Sequence, residues 1–487
     1  MSLLHYVAAL LAGAATVLAF APTGVYPVAL VSLALLAHLW MRAAPRACFL
    51  TGACFGMGFF GAGVSWIYVS LSQFGGMPPL LAALATLLFC ALLAFFPAAA
   101  GWLQARVPGP EFARALLLIP ASWTLFEWLR GWIFSGFPWL SAGYAATGWP
   151  LQGFAPLLGV YGLSWLTLVL AGMLWSLVVG KQRLVAALVI AAVLTAATVL
   201  RGVAWTAPQG APVPVALLQG NIEQELKFRP ERYARTLETY ASLAEGSSAR
   251  LIVLPETAIP RFLDRIEPTY LARLEAAAAR NGGDLLLGVP LRAGVGQYYN
   301  SVVTLGRSPS QAYHKVHLVP FGEYMPTGFH WVLRLLDIPL ADFSAGRAEQ
   351  PALAVGGQRV AVNICYEDAF GAEISQQALE ATLLVNMSNV AWFGDSLAPG
   401  QHLQIASLRA VETGRMHLAA TNTGITAAID RDGAVLARLP QFTEGRLEIL
   451  AQGYSGVTPY MRLGDWPTLA GSLLILGAAV LFARHRR

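Results

Sequence analysis

The sequence predicts a polytopic α-helical membrane bundle of about eight spans joined to a soluble α/β domain. Three observations lead there. First, charge is scarce and unevenly spread. Only 12% of the 487 residues are charged and the mean hydropathy is +0.56, whereas soluble domains carry about 25% charged residues. Residues 1–200 hold nine charged side chains and the remaining 287 hold fifty. Second, the charge-poor part divides into apolar runs of roughly bilayer-spanning length. Third, the charge-rich part alternates short β-rich runs with helical ones.

A hydrocarbon core takes about 20 apolar residues per helix. Spans are expected at 3–20, 25–41, 48–71, 79–104, 113–130, 152–179 and 184–201, with a last one at 467–483. The breaks carry Pro, Gly or charge, as in Ala21-Pro22-Thr23-Gly24, Gly75-Gly76-Met77-Pro78-Pro79 and Val107-Pro108-Gly109-Pro110. Span one could be read as a signal peptide, but it begins Met1-Ser2-Leu3-Leu4-His5 without a basic n-region, so retention is expected. With eight spans, Arg42, Arg46, Arg106, Arg114, Lys181, Arg183 and the tail Arg484-His485-Arg486-Arg487 all fall on one side. Positive loops mark the cytoplasmic side. Both termini are therefore expected in the cytoplasm, with the soluble segment outside it, in the periplasm of a bacterium. The net charge of +5 follows from this loop pattern and does not indicate a nucleic-acid groove. The expected domains are residues 1–204 (seven spans), 205–460 (soluble) and 461–487 (last span and basic tail).

In the soluble segment, β-rich runs stand at Val213–Leu218, Leu251–Leu254, Asp284–Val289, Ser301–Leu305, Arg359–Cys365, Ala381–Asn386, His417–Thr421 and Thr426–Asp430. Several are apolar throughout, as strands covered on both faces are. Helical patterns lie between them at Arg232–Glu245, Pro268–Asn281, Ala372–Glu380 and Gln401–Thr413. This is an α/β domain with helices on the faces of its sheets.

Of four cysteines, Cys48, Cys54 and Cys90 lie in expected spans, and Cys365 alone lies in the soluble segment. It closes an apolar strand and precedes Tyr366-Glu367-Asp368, and strand ends are where α/β folds place their sites. Glu256 ends another apolar strand, Leu251–Pro255. Taken singly, Glu256 reads first as a capping or loop acid, Lys315 as a solvated lysine and Glu323 as a surface acid. Together they form a set for acyl transfer. A thiol attacks as thiolate, so a carboxylate must take its proton. An ammonium and backbone N–H groups can stabilise the oxyanion that develops. The chain has no G-x-S-x-G elbow, and His314 and His317 lack further ligands at zinc spacing.

Pro255-Glu256, the segment His314–Glu323 and Asn363-Ile364-Cys365-Tyr366-Glu367 resemble the Glu–Lys–Cys blocks of the nitrilase, or carbon–nitrogen hydrolase, superfamily. With the flanking spans, the chain resembles within it the bacterial apolipoprotein N-acyltransferase family. Further agreement lies in Gln219–Ile222, Thr257–Pro260, Ser388–Gly394, Thr421–Thr426, Thr458-Pro459-Tyr460, Glu127–Arg130 and Gly136–Trp139. The resemblance covers nearly the whole chain, and the order and spacing of the blocks make it specific.

The resemblance implies an αββα sandwich and a two-step reaction. An acyl chain passes from a phospholipid, chiefly phosphatidylethanolamine, to Cys365 as a thioester. It then passes to the α-amino group of a diacylglyceryl-modified N-terminal cysteine of an apolipoprotein. By motif position Cys365 is the nucleophile, Glu256 the general base and Lys315 the oxyanion stabiliser. Glu323, Tyr366 and Glu367 support the site. No cofactor or metal is implied, and nothing in the sequence calls for an oligomer. Phe228, in Lys227-Phe228-Arg229-Pro230, departs from the tryptophan expected there.

Two other readings compete. A membrane-anchored amidase would use the same residues, but it would need one anchoring span rather than eight. A transporter would place ionisable residues within the spans, where few occur. Glu127 and Arg130, one turn apart near a span end, are read as a structural pair, and Trp123, Trp128, Trp132, Trp139 and Trp149 as an interfacial aromatic set.

Overall fold

The computed structural model describes residues 2–294, 296–326 and 342–485. The chain divides into two compact units. One comprises Met1–Tyr68, Pro78–Val203 and Leu463–Arg487, and the other Val69–Met77 and Ala204–Arg462. Arg486 and Arg487 of the basic tail lie outside the described residues.

The first unit is helical. Its helices are, in chain order, α1 (Leu3–Ala19), α2 (Tyr26–Trp40), α3 (Pro45–Gly63), α4 (Trp66–Phe74, of which Val69–Phe74 belong to the second unit), α5 (Pro79–Arg106), α6 (Glu111–Arg130), α7 (Pro150–Val178) and α8 (Arg183–Arg201), with a closing helix at Trp466–Phe482. Pro at the first turn of α3, α5 and α7 suits helix starts, because the missing N–H would have had no partner there. Helices α5 to α8 are long and apolar enough to cross a membrane, and α3 with α4 would make a fifth crossing if the bent pair is one span. Helices α1, α2 and the closing helix are apolar but shorter. Leu80, Leu84, Leu87 and Leu88 on α5, and Leu184, Leu188 and Val199 on α8, point outward. So much exposed leucine on long helices suits lipid rather than water. Small residues let backbones approach inside the unit. A Cβ on Gly52 would stand 2.5 Å from the Pro97 carbonyl, and one on Gly56 2.6 Å from the Ala94 Cα, so α3 and α5 meet along a Gly-x-x-x-Gly face.

The third expected span needs correction. It starts at Pro45 rather than 48, stops at Gly63, and the chain turns by 52° into α4. From Val69 to Met77 the residues pack with the second unit instead of continuing a helix through the first. The Ser70 hydroxyl donates to the Trp392 carbonyl (2.7 Å), and Phe74 meets the Trp392 ring edge-on. The apolar pattern runs unbroken across this bend, so hydropathy alone does not reveal it.

Glu127 and Arg130 are both buried in the first unit. Arg130 donates to the carbonyls of Phe137 and Trp139 and to the Ser141 hydroxyl. Glu127 accepts from the Trp123 indole (3.1 Å) and the Ala142 N–H (2.8 Å). The pair thus pins the connection after α6, a structural role.

The second unit is a two-sheet sandwich. Its strands are β1 (Thr206–Pro208), β2 (Val213–Gln219), β3 (Leu251–Val253), β4 (Asp284–Gly294), β5 (Gln297–Gly306), β6 (Ala312–His314), β7 (Leu353–Val355), β8 (Gln358–Ile364), β9 (Leu383–Ser388), β10 (Met416–Thr421), β11 (Ala427–Ile429), β12 (Val435–Arg438), β13 (Gly445–Ala451) and β14 (Tyr454–Gly456). One sheet runs β13-β2-β3-β4-β5-β6 and the other β12-β11-β10-β9-β8-β7, while β1 pairs with β14. Each large sheet has a parallel centre, β2-β3-β4 in one and β10-β9-β8 in the other.

Side-chain alternation builds the layers. Val215, Leu217, Leu251 and Val253 meet Val360, Val362, Ile364, Val385 and Leu418 between the sheets. The alternate residues Ala216, Leu218, Ile252 and Leu254 pack outward on the helices Pro230–Glu245 and Pro268–Arg280. Gly371–Ala378 and Ala398–Thr413 lie on the second sheet. The expected αββα sandwich is therefore present. The strands missed from sequence are mostly short or half-exposed. For example, β13 alternates between half-buried and exposed positions.

Removing Arg130 would leave Glu127 as a buried, unpaired charge. Arg130→Ala is expected to destabilise the detergent-solubilised protein by about 3–5 kcal/mol, read as a lowered unfolding midpoint. The Glu127→Gln, Arg130→Ala double variant should lose less than the sum of the single losses.

Candidate active site

The parallel strands of both sheets end on one side of the sandwich, and the candidate residues sit at those ends. After β3 the chain runs through Leu254 and Pro255 to Glu256, which is 7% exposed. After β8 comes Cys365, with φ of +55°. Such a left-handed backbone is strained for a residue with a Cβ and is typical of functional turns. A 3₁₀ turn, Cys365–Ala369, follows it directly. Lys315 follows β6 and is 1% exposed.

These side chains converge. The Lys315 ammonium lies 3.5 Å from Glu256 Oε1 and 2.8 Å from Glu323 Oε2. Asn300, on β5, donates to both carboxylates, at 2.7 Å to Glu256 and 2.8 Å to Glu323. The other Glu256 oxygen accepts the Asn389 N–H at 2.8 Å, and the other Glu323 oxygen accepts the Val319 N–H at 2.9 Å. The Cys365 thiol faces the Glu256 carboxylate and the Lys315 ammonium electrostatically. The Asn386 amide donates to the Cys365 carbonyl (3.0 Å).

Glu367 faces the scaffold rather than the thiol. One of its oxygens accepts the N–H groups of Val316 (2.7 Å) and His317 (3.1 Å), and the other accepts that of Ile364 (2.6 Å). The Tyr313 hydroxyl lies 3.0 Å from both oxygens. One carboxylate thus ties the nucleophile turn to the lysine segment. Tyr366 packs against His317 and Phe370.

Electrostatics fixes the resting charges. Burial pushes the Cys365 thiol up, and the Glu256 carboxylate adds to this against the pull of Lys315. Burial would also raise Glu256, but Lys315, the Asn300 amide, Lys227 and the Asn389 N–H together bring it below the usual carboxylate range. Burial disfavours the Lys315 ammonium, yet Glu323 and Glu256 hold its proton more firmly than normal. The resting site is a neutral thiol beside an ionised carboxylate and an ammonium. Burial lifts Glu367 to about 7, against the opposing pull of Lys315 and three backbone N–H groups. A neutral thiol beside a buried carboxylate can give up its proton as it attacks, and the ammonium can hold developing oxyanion charge.

Asn300, Asn389 and Lys227 join this cluster without having been singled out from the sequence. Asn389 and Lys227 lie in segments compared with the family, Ser388–Gly394 and Lys227–Pro230, but neither carried a role there, and Asn300 lies in no such segment. Only the pairing of β5 beside β4, and the arrival of the β9 end at Glu256, bring them in.

A cysteine, a glutamate and a lysine gathered at the strand ends of an αββα sandwich define a carbon–nitrogen hydrolase domain, and residues 214–452 match the carbon-nitrogen hydrolase family model. Residues 12–173 match the model of the apolipoprotein N-acyltransferase N-terminal domain. The chain is 48% identical to an apolipoprotein N-acyltransferase of Nitrosomonas europaea, over 99% of this chain and 98% of that one. It is 47% identical to that of Methylococcus capsulatus (96% and 94% covered) and 44% identical to that of Ralstonia nicotianae (98% and 93%). The chain belongs to the apolipoprotein N-acyltransferase family, and its apolar helices are those of a membrane protein.

The charge arrangement makes a prediction about the thiol alone. Alkylation of Cys365 by iodoacetamide is expected to be slow at pH 7 and still rising beyond pH 9, because the thiol holds its proton there. Glu256→Gln removes the nearby negative charge but leaves Lys315. That variant should alkylate faster than wild type at pH 8; slower alkylation would contradict the charge assignment.

Proposed function

We propose that this chain N-acylates apolipoproteins, taking the acyl group from a phospholipid through a thioester on Cys365. The observation that carries the reading is the convergence of Cys365, Glu256 and Lys315 at the strand ends of a domain joined to a membrane-type helical unit. In the first half-reaction Sγ bonds to the ester carbonyl carbon while Glu256 takes the thiol proton. Lys315, held between Glu256 and Glu323, faces the oxyanion. The carbon–oxygen bond then breaks, and the proton passes from Glu256 to the departing lysophospholipid alkoxide. In the second half-reaction the α-amino nitrogen of the diacylglyceryl-cysteine attacks the thioester. Glu256 takes a proton from that nitrogen and returns it to sulfur as the amide forms. Phosphatidylethanolamine is the proposed donor. Glu323 orients Lys315, Glu367 and Tyr366 hold the turn that presents Cys365, and the protein works as a monomer.

The distribution of Arg and Lys among the loops supports an orientation in a bacterial inner membrane with both termini cytoplasmic and the catalytic domain periplasmic. A helical membrane unit suits such lipid substrates for an energetic reason. A water-soluble enzyme would have to lift each acyl chain from the bilayer at about 0.8 kcal/mol per CH₂.

The test is to incubate purified enzyme with phosphatidylethanolamine without acceptor and to measure the mass of the peptide containing Cys365. An acyl adduct released by hydroxylamine is expected, absent in Cys365→Ala and formed about 10²–10⁴-fold more slowly in Glu256→Gln. The adduct should pass to a diacylated lipopeptide. Hydrolysis of small amides with no adduct would instead indicate an amidase.

A further inference from the structure

Lys227 is a second cation at this site. It ends the short turn Gln224–Lys227, is 2% exposed, and its ammonium donates to the Glu256 main-chain carbonyl at 3.4 Å. Among the described residues no carboxylate oxygen lies within ion-pair distance of it. A buried ammonium with one long hydrogen bond is costly, so its presence calls for a compensating role.

The turn is held in place by the site itself. The Asn389 amide donates to the Gln224 side chain (2.9 Å), while the Asn389 N–H holds Glu256. Asn422, at the end of β10, exchanges two hydrogen bonds with the main chain of Ile222, at 2.7 and 2.9 Å. The groups that face Lys227 electrostatically are Glu256 and Cys365. The other charged residues of its loop, Glu223, Glu225 and Arg229, are exposed.

A charge inventory shows what Lys227 adds. Lys315 is shared between two carboxylates, Glu256 and Glu323, so those three groups sum to one negative charge. A further oxyanion would form in an already anionic pocket. With Lys227 protonated the four groups Lys227, Lys315, Glu256 and Glu323 sum to zero, while Glu367, lifted to about 7, is held by backbone N–H groups.

We infer that Lys227 is a positioning residue of the acyl-transfer reaction, the charge-balancing cation that holds Glu256 ionised and offsets the negative charge developing at Cys365. This rests on the reading of Cys365 and Glu256 given above. Burial lowers the Lys227 ammonium to about 8, although Glu256 and Cys365 oppose this. Lys227 therefore carries its charge below that pH and loses it above.

The test uses full-length enzyme in detergent with phosphatidylethanolamine, and single-turnover formation of the Cys365 adduct from pH 6 to 10. Wild type should slow as pH rises through about 8. Lys227→Met should be slower by about 10- to 100-fold below pH 8, a smaller loss than for a donor in direct contact with the oxyanion. It should also lack the inflection near 8. Lys227→Arg should recover much of the rate and move the inflection upward, because guanidinium stays charged. Without substrate, Lys227→Met should alkylate at Cys365 more slowly than wild type at pH 8, opposite in direction to Glu256→Gln. A Lys227→Met profile with the wild-type inflection, or unchanged alkylation, would overturn the inference. If that variant does not fold, a Lys227→Arg profile inflecting where wild type does overturns it alone. Cys365→Ala is run beside them. An adduct surviving there would refute the nucleophile assignment instead.

Discussion

The arrangement of the site depends on one requirement, that the buried Lys315 ammonium be matched by carboxylates. An ion moved from water into a protein interior loses several kcal/mol of solvation unless its partners are close and well aligned. Lys315 meets the requirement with Glu256 and Glu323, which come from different segments of the chain. Asn300 donates to both carboxylates and so holds them on one ammonium. The end of β3, the middle of β5 and the stretch from Lys315 to Glu323 are therefore fixed relative to one another by electrostatics. The apolar core between the sheets supplies the platform, and its side-chain alternation decides which strand ends come together.

Glu367 serves the same construction from the other sheet. A carboxylate facing three backbone N–H groups and a tyrosine hydroxyl satisfies donors that a sharp turn would leave exposed or buried without partners. It binds the segment leading out of Lys315 to the turn that begins at Cys365. The strained φ of Cys365 is held by this bracing and by the Asn386 amide on its carbonyl. The run Cys365-Tyr366-Glu367 is thus mechanically a unit, with one residue facing the chemistry and another fixing the backbone that presents it.

Much of this was legible in the sequence, for specific reasons. Glu256 and Cys365 stand out because each ends an apolar run, and a reactive type at a strand end is a recognisable signal. The sandwich follows from strands apolar on both faces. Asn300 was not legible, because it lies within a strand whose alternation gives it no mark. Lys227 looks like any solvated lysine of a polar loop; only the closure of that loop over Glu256 buries it. The bend after Gly63 escaped notice because hydropathy is blind to direction. Glu127 and Arg130 were legible as a pair, though the main-chain groups they hold were not.

The neutral resting thiol fits the proposed reaction better than a preformed thiolate would. A phospholipid ester leaves as an alkoxide, which is a poor leaving group unless it is protonated as the bond breaks. If Cys365 rested as a thiolate, its proton would already have gone to solvent and another would have to be found. With the thiol protonated and Glu256 beside it, the proton removed during attack stays at the site and is available to the departing oxygen. The same protonation limits side reactions, since oxidation of cysteine follows thiolate character. Lys315 must then be strong enough to stabilise an oxyanion yet not so dominant that it strips the thiol at rest. Its sharing between two carboxylates sets that balance, and a second, more weakly held cation at Lys227 fits a site that needs its charge offset chiefly while the reaction is under way.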